Sequence, residues 1–177
     1  MSARITVGID NGQSGSVGIL TGSSARFEPV PTEPYLHYGK KGTIGKRLLR
    51  KGHGGLHGLI WGACPLLPDQ VTQVNPDLVR VYIERPFSGK FMNAVLPAHR
   101  FFEATIIVME DLGLGYEVVD SGPWQKAMLG NVTGSAELKK ASKLRGIQMY
   151  PQFRDFITKH GDADGLLMAR YYHDLQS

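Results

Sequence analysis

Arg4-Ile5-Thr6-Val7-Gly8-Ile9-Asp10, then Asn11-Gly12-Gln13-Ser14-Gly15, then Ser16-Val17-Gly18-Ile19-Leu20-Thr21 is the stretch that decides the architecture. Side chains alternate across a strand, so Ile5, Val7 and Ile9 share one face, and Thr6, Gly8 and Asp10 share the other. The glycine-rich turn followed by a second apolar run reads as a hairpin, and residues 25–30 read as a third strand. The chain therefore opens an antiparallel sheet whose first strand ends in a carboxylate.

The pattern recurs at residues 78–84. Val79, Val81 and Ile83 share one face, Arg80, Tyr82 and Glu84 the other, and this strand also ends in an acid. After the turn Pro86-Phe87-Ser88-Gly89, residues 92–112 predict a long helix with Pro97 near its first turns, and residues 116–119 a further strand. A β-α-β succession implies parallel pairing. Helices are expected at 123–129, at 136–149 with Lys139, Lys140, Lys143 and Arg145 on it, and from about Asp162 to Leu175. The whole is a mixed α/β sheet, with no internal repeat and no second domain.

Composition sets the remaining bounds. The chain has 177 residues, 42% hydrophobic and 20% charged, with a net charge of +4. That is enough to bury a core, and it gives no support to wholesale disorder. No stretch approaches the roughly 18 uninterrupted apolar residues of a spanning helix. Met1-Ser2-Ala3-Arg4 runs straight into the first strand, so no secretion signal is read there. The single cysteine, Cys64, has no second thiol for a disulfide or a zinc site, so the expected setting is the cytoplasm or another reducing compartment.

Residues 31–76 stand apart as an expected basic, glycine-rich insertion or arm in an otherwise single domain spanning 1–177. No Asp or Glu falls between Glu33 and Asp69, whereas Lys40, Lys41, Lys46, Arg47, Arg50 and Lys51 do. These six cations suit phosphate binding, and equally suit a solvated basic loop. The only local order expected before residue 59 is a short helix around residues 44–50. His37, His53 and His57 match no metal spacing, and no role is assigned to them.

Asp10 and Glu84 carry the chemistry. If their strands lie parallel and adjacent, both acids meet beyond the carboxyl ends, where open α/β sheets bind ligands. Asp162 and Asp164 bring a third acidic cluster to the start of the last helix. Several carboxylates forced together are costly unless a divalent cation lies between them, and oxygen ligands without cysteine favour Mg²⁺, with Mn²⁺ as a substitute. Each acid taken alone also fits a turn or cap role, and Asp162 fits a helix N-cap.

Taken together, Gly8-Ile9-Asp10 with its glycine-rich turn, Val81-Tyr82-Ile83-Glu84, Trp124-Gln125-Lys126-Ala127 and Lys159-His160-Gly161-Asp162-Ala163-Asp164-Gly165-Leu166-Leu167 resemble RuvC-type Holliday junction resolvases, in order and over most of the chain. The likeness is closest to phage and plant organellar members. It implies a ribonuclease H-like five-stranded mixed sheet flanked by helices, and a homodimer acting on branched DNA, four-way junctions above all. It also implies two Mg²⁺ ions on four ligands and products with 5′-phosphate and 3′-hydroxyl ends. Asp10, Glu84 and Asp164 map onto three of the ligands.

The fourth ligand is left between two residues, because the bacterial pattern places it where this chain has Gly161. His160 lies four residues before Asp164, on the same helix face if the helix reaches back that far, and organellar members carry His-Gly at this distance. It is preferred over Asp162. The resemblance also implies that Phe87 stacks on bases at the junction crossover, and that Lys126, Lys139 and Lys140 contact phosphates. Phe87 also reads as a core aromatic, and each lysine as part of a solvated helix face. Trp124 is expected to pack its helix on the sheet.

Other readings stay open. One metal site of this kind also serves nucleases that cut flaps or RNA:DNA hybrids. A catalytically silent DNA-binding module is another reading, although such a module has no reason to keep costly adjacent acids. Gly8-Ile9-Asp10-Asn11-Gly12 also fits the phosphate-cradling opening of actin-like and sugar-kinase ATPases, but a second glycine-rich phosphate loop is lacking.

Overall fold

The computed structural model describes residues 4–12, 14–35, 48–66, 74–86, 89 and 92–176. Among these lie seven strands and six α-helices. Strands β1 (Ile5–Ile9), β2 (Ser16–Thr21) and β3 (Ser24–Pro29) form an antiparallel meander. Strands β6 (Val79–Glu84) and β7 (Tyr116–Val119) join it in parallel through β1, giving a five-stranded sheet in the order β3-β2-β1-β6-β7. The crossover between β6 and β7 is helix α2 (Met92–Asp111), which carries Pro97 inside it. Helices α3 (Ser121–Leu129), α4 (Ser135–Met149), α5 (Arg154–His160) and α6 (Asp164–Leu175) complete the chain.

The sheet is buried on both faces, and strand parity decides which residues go where. Ile5, Val7 and Ile9 of β1, Val17 and Ile19 of β2, and Val79, Val81 and Ile83 of β6 pack with Phe101, Val108 and Met109 of α2. The opposite face carries Leu20, Phe27 and Tyr82 against Trp124, Ile157 and the apolar side of α6, Leu166 to Ala169. Thr6, Gly8 and Asp10 therefore look toward α6. Gly8 pairs with Gly18 in the β1–β2 register, and a Cβ at Gly18 would collide with Leu166 Cα, at Gly8 with Gly165 O, and at Gly165 with Ser16 O. Three missing side chains let the α6 backbone lie directly on the sheet.

The described residues within 31–76 hold more regular structure than expected. Strands β4 (Thr32–Tyr35) and β5 (Leu48–Lys51) form a separate two-stranded sheet, so residues 48–50 are extended where a short helix was expected. His53–Trp61 is helix α1 despite three glycines, because Leu56, Leu59 and Ile60 are buried in the α2-side core. Tertiary burial has overridden poor helix propensity. His53 Nε2 meets Asp111 Oδ2 at 2.7 Å, tying α1 to the end of α2.

Candidate active site

Asp10 follows β1 directly and Glu84 closes β6, and the parallel register pairs Ile9 with Ile83. The two acids thus leave the same edge of the sheet side by side. The backbone N–H of Asp10 donates to Ser16 O at 3.0 Å, and Ser16 Oγ accepts from Gly165 N–H at 3.0 Å. Ser16 so fastens the start of α6 to the end of β1. That brings Asp10, Asp162 and Asp164 together, with one ligand oxygen from each lying within 4.8 Å of the others. Glu84 stands close enough for the charges of Asp10 and Asp164 to act on it.

His160 occupies a different place. Helix α5 ends at His160, Gly161 reverses the chain at φ +110°, and α6 begins at Asp164. His160 and Asp164 do not share a helix, and the geometry that favoured His160 over Asp162 is absent. His160 instead lies behind Asp162, Nε2 to Oδ1 3.4 Å, with Phe27 edge-on to its ring at 5.7 Å. At that length neither atom completes a hydrogen bond.

Charge crowding is written into the acids. Burial, then the Asp162 carboxylate, pushes Asp10 up to about 6, against the Gly12 N–H and the charges of His160 and Lys139. Burial, then Asp10 and Asp164, pushes Glu84 up to about 8. Asp164 rises to about 7 through burial and through Asp162 and Asp10, while the Ser142 hydroxyl and Lys139 pull it down. His160 is raised in turn by its contact with Asp162, which outweighs its own burial.

Two supporting residues were not foreseen. Ser142, buried within α4, donates to Asp164 Oδ1 and accepts from Ala163 N–H at 3.0 Å, fixing the turn that carries both late acids. Trp124 is fully buried, as its packing role requires, yet its indole N–H also acts on Glu84 and lowers that pKa. The pair stops short of a hydrogen bond, leaving Trp124 Nε1 and Glu84 Oε2 buried and unpartnered among the described residues.

The remaining expected residues divide. Lys139 is exposed on α4 with Nζ 3.8 Å from Asp162 Oδ2, at the rim of the acidic centre. Lys126 and Lys140 are exposed on α3 and α4. Lys40, Lys41, Lys46, Arg47 and Phe87 lie outside the described residues, and for Arg50 and Lys51 only the backbone of β5 is described.

The donor set suits a hard divalent cation. It is all carboxylate oxygen, backed by one imidazole, and among the described residues Glu84 Oε2 and Asp162 Oδ1 are buried with unmet hydrogen-bonding capacity.

A mixed sheet in the order β3-β2-β1-β6-β7, with α2 on one face and α3 to α6 on the side of the acids, is the ribonuclease H-like fold. The RuvC structure of Thermus thermophilus matches it over 97% of this chain and 96% of that one, with a TM-score of 0.52 at 11% sequence identity. A second T. thermophilus RuvC structure, in complex with a Holliday junction substrate, aligns over 96% of each chain with a TM-score of 0.45 at 12% identity. No protein-family model matches the sequence, and no curated protein matches it. Among the described residues no helix is long and apolar enough to cross a membrane.

Proposed function

We propose that the chain is a metal-dependent nuclease that hydrolyses phosphodiester bonds in branched DNA, four-way junctions above all, as a homodimer. The observation that carries this reading is the convergence of Asp10, Asp162 and Asp164, with Glu84 beside them, at the sheet edge beyond β1 and β6. Such a cluster is electrostatically unfavourable alone and suits cation binding. Asp10, Glu84, Asp162 and Asp164 would hold Mg²⁺ or Mn²⁺, with His160 backing Asp162. Divalent ions bound there supply Lewis-acid activation of water and stabilisation of the leaving oxygen.

The chain's own residues have distinct tasks. Ser142 orients Asp164, and Ser16 holds α6 against β1, so the acids at the ends of two sheet strands and at the start of α6 keep a fixed spacing. Lys139, exposed at the rim, is placed to meet a phosphate as Asp162 turns to a cation. Lys126 and Lys140 would extend that cationic surface, as would Lys40, Lys41, Lys46, Arg47, Arg50 and Lys51, and Phe87 would stack at the crossover.

The test is incubation with a four-way junction, a flap, a linear duplex and an RNA:DNA hybrid, with Mg²⁺ or EDTA, alongside light scattering for the dimer. Cutting is expected with Mg²⁺ only and strongest on the junction. Asp10→Asn should abolish cutting while junction binding persists, and Asp162→Asn should cost far more cutting than His160→Ala. Mg²⁺-dependent cutting by Asp10→Asn would sink the metal-site reading. A dead His160→Ala beside an active Asp162→Asn would return the fourth ligand to the histidine. Preference for the flap or the hybrid would reassign the substrate, and thermal stabilisation by ATP without cutting would favour the phosphate-cradle alternative.

A further inference from the structure

A groove of about 360 Å³ opens beside the acidic centre, lined by Phe27, Pro29, Phe156, Lys159 and His160. Phe156, on α5, is 60% exposed, which is unusual for a phenylalanine on a short helix. Nothing in the carboxylate arrangement uses it. The wall between the groove and the acids is the His160 ring, whose Nε2 lies 3.4 Å from Asp162 Oδ1. Whatever sits in the groove is therefore a neighbour of whatever sits at the acids.

The surroundings select the occupant. Residues 135–160, which span α4 and α5, carry six lysines and arginines, Lys139, Lys140, Lys143, Arg145, Arg154 and Lys159, against two acids, Glu137 and Asp155. Among the described residues no acid lines the groove. An apolar aromatic slot with one lysine at its rim, on a cationic surface and next to a phosphodiester-cutting centre, matches a planar base with a phosphate attached. We infer that this groove binds one unpaired nucleobase of the strand held at the acids, with Phe156 as stacking platform and Lys159 on the adjoining phosphate. The inference rests on the nuclease reading and deepens it. A single strand or the strained bases of a branch could fill the slot, whereas stacked bases of an intact duplex are held out of it. Selectivity for branched DNA would then come partly from this chain's own α5.

The test separates the groove from the acids. In an Asp10→Asn background, equilibrium binding is measured for a short single strand, a four-way junction and a fully paired duplex, with and without Phe156→Ala. Base–aromatic stacking of this kind predicts a loss of roughly 5- to 150-fold for single strand and junction, with duplex binding nearly unchanged. Phe156→Trp should restore the preference. Lys159→Gln should reduce the slope of log affinity against log salt by about one contact's worth. Equal losses on duplex and single strand, or unchanged binding by a Phe156→Ala protein with the parent's melting curve, would overturn the proposal. So would a change in oligomeric state, which would mean that a second copy covers the groove. If the parent cuts DNA with Mg²⁺ while Phe156→Ala binds as the parent does, only the groove falls. A parent that neither cuts nor binds DNA removes the nuclease reading and the groove with it.

Discussion

Among the described residues, Glu84 keeps one buried oxygen without a hydrogen-bond partner, and Trp124 keeps a buried indole N–H in the same condition. A lone buried donor beside a lone buried acceptor costs stability on both sides, which the protein tolerates where a charge is to be managed. The indole N–H favours the anionic form of Glu84 against burial and two neighbouring aspartates. Trp124→Phe keeps an aromatic in the core and removes that donor. Glu84 should then hold its proton to higher pH, so Mg²⁺ affinity at neutral pH should fall several-fold and the midpoint of its pH dependence should move upward. Calorimetric titration of Mg²⁺ at several pH values measures both, and an unchanged midpoint would reduce Trp124 to packing alone. Burial of Trp124 was legible from its size and setting, but its donor role needs β6 and α3 to be neighbours, which no local pattern states. Ser142 gave still less signal, as a serine in a lysine-rich helix. The helix-face argument for His160 does not carry over, since Gly161 at φ +110° ends α5 before α6 begins at Asp164.

At the level of elements, the site depends on how closely α6 lies on β1 and β2. Gly8, Gly18 and Gly165 leave no Cβ at the points where the backbones come closest, and Ser16 fastens the approach with its hydroxyl. Gly18→Ala would force a methyl against the Leu166 backbone, which is not a flexible side-chain end that can step aside. Overpacking of this sort costs about 1–3 kcal/mol, and more where backbone must move. The denaturation midpoint should drop at constant m-value, and Mg²⁺-dependent cutting should drop further than the unfolded fraction explains, because Asp162 and Asp164 move with α6. A Gly18→Ala protein with the parent's midpoint would show that the helix shifts without penalty. Strand parity, and with it the face shared by Asp10 and Glu84, was readable because β1 and β6 alternate cleanly. Helix α1 was not, since His53-Gly54-Gly55-Leu56-His57-Gly58-Leu59-Ile60 looks like a loop until Leu56, Leu59 and Ile60 meet α2. Helix α5, only seven residues long after the 3-10 turn Pro151–Phe153, fell below the length at which periodicity speaks.

For the molecule as a whole, the acidic centre makes stability depend on pH and on divalent cations together. Asp10, Asp164 and Glu84 ionise at about 6, 7 and 8, against ordinary values of 3.8 for aspartate and 4.5 for glutamate. An acid whose pKa is raised by folding leaves stability intact below its unfolded value and removes it as pH rises through the folded value. His160, also raised, contributes stability that is full below its ordinary value of 6.5 and is lost as pH rises through its folded value, so it acts in the same direction. The metal-free protein should therefore lose melting temperature steadily from about pH 4 to about pH 8, the window those shifts define. Mg²⁺ competes with the same protons, so it should stabilise little at the acid end and most at the alkaline end. Asp10→Asn removes one of the crowded charges, which should flatten the metal-free profile and shrink the Mg²⁺-induced rise. Thermal melts of parent and variant in EDTA and in Mg²⁺, across that pH range, measure all four curves. A flat metal-free profile, or a Mg²⁺ shift of equal size at both ends, would mean that the carboxylates are not held together by the fold against their own repulsion.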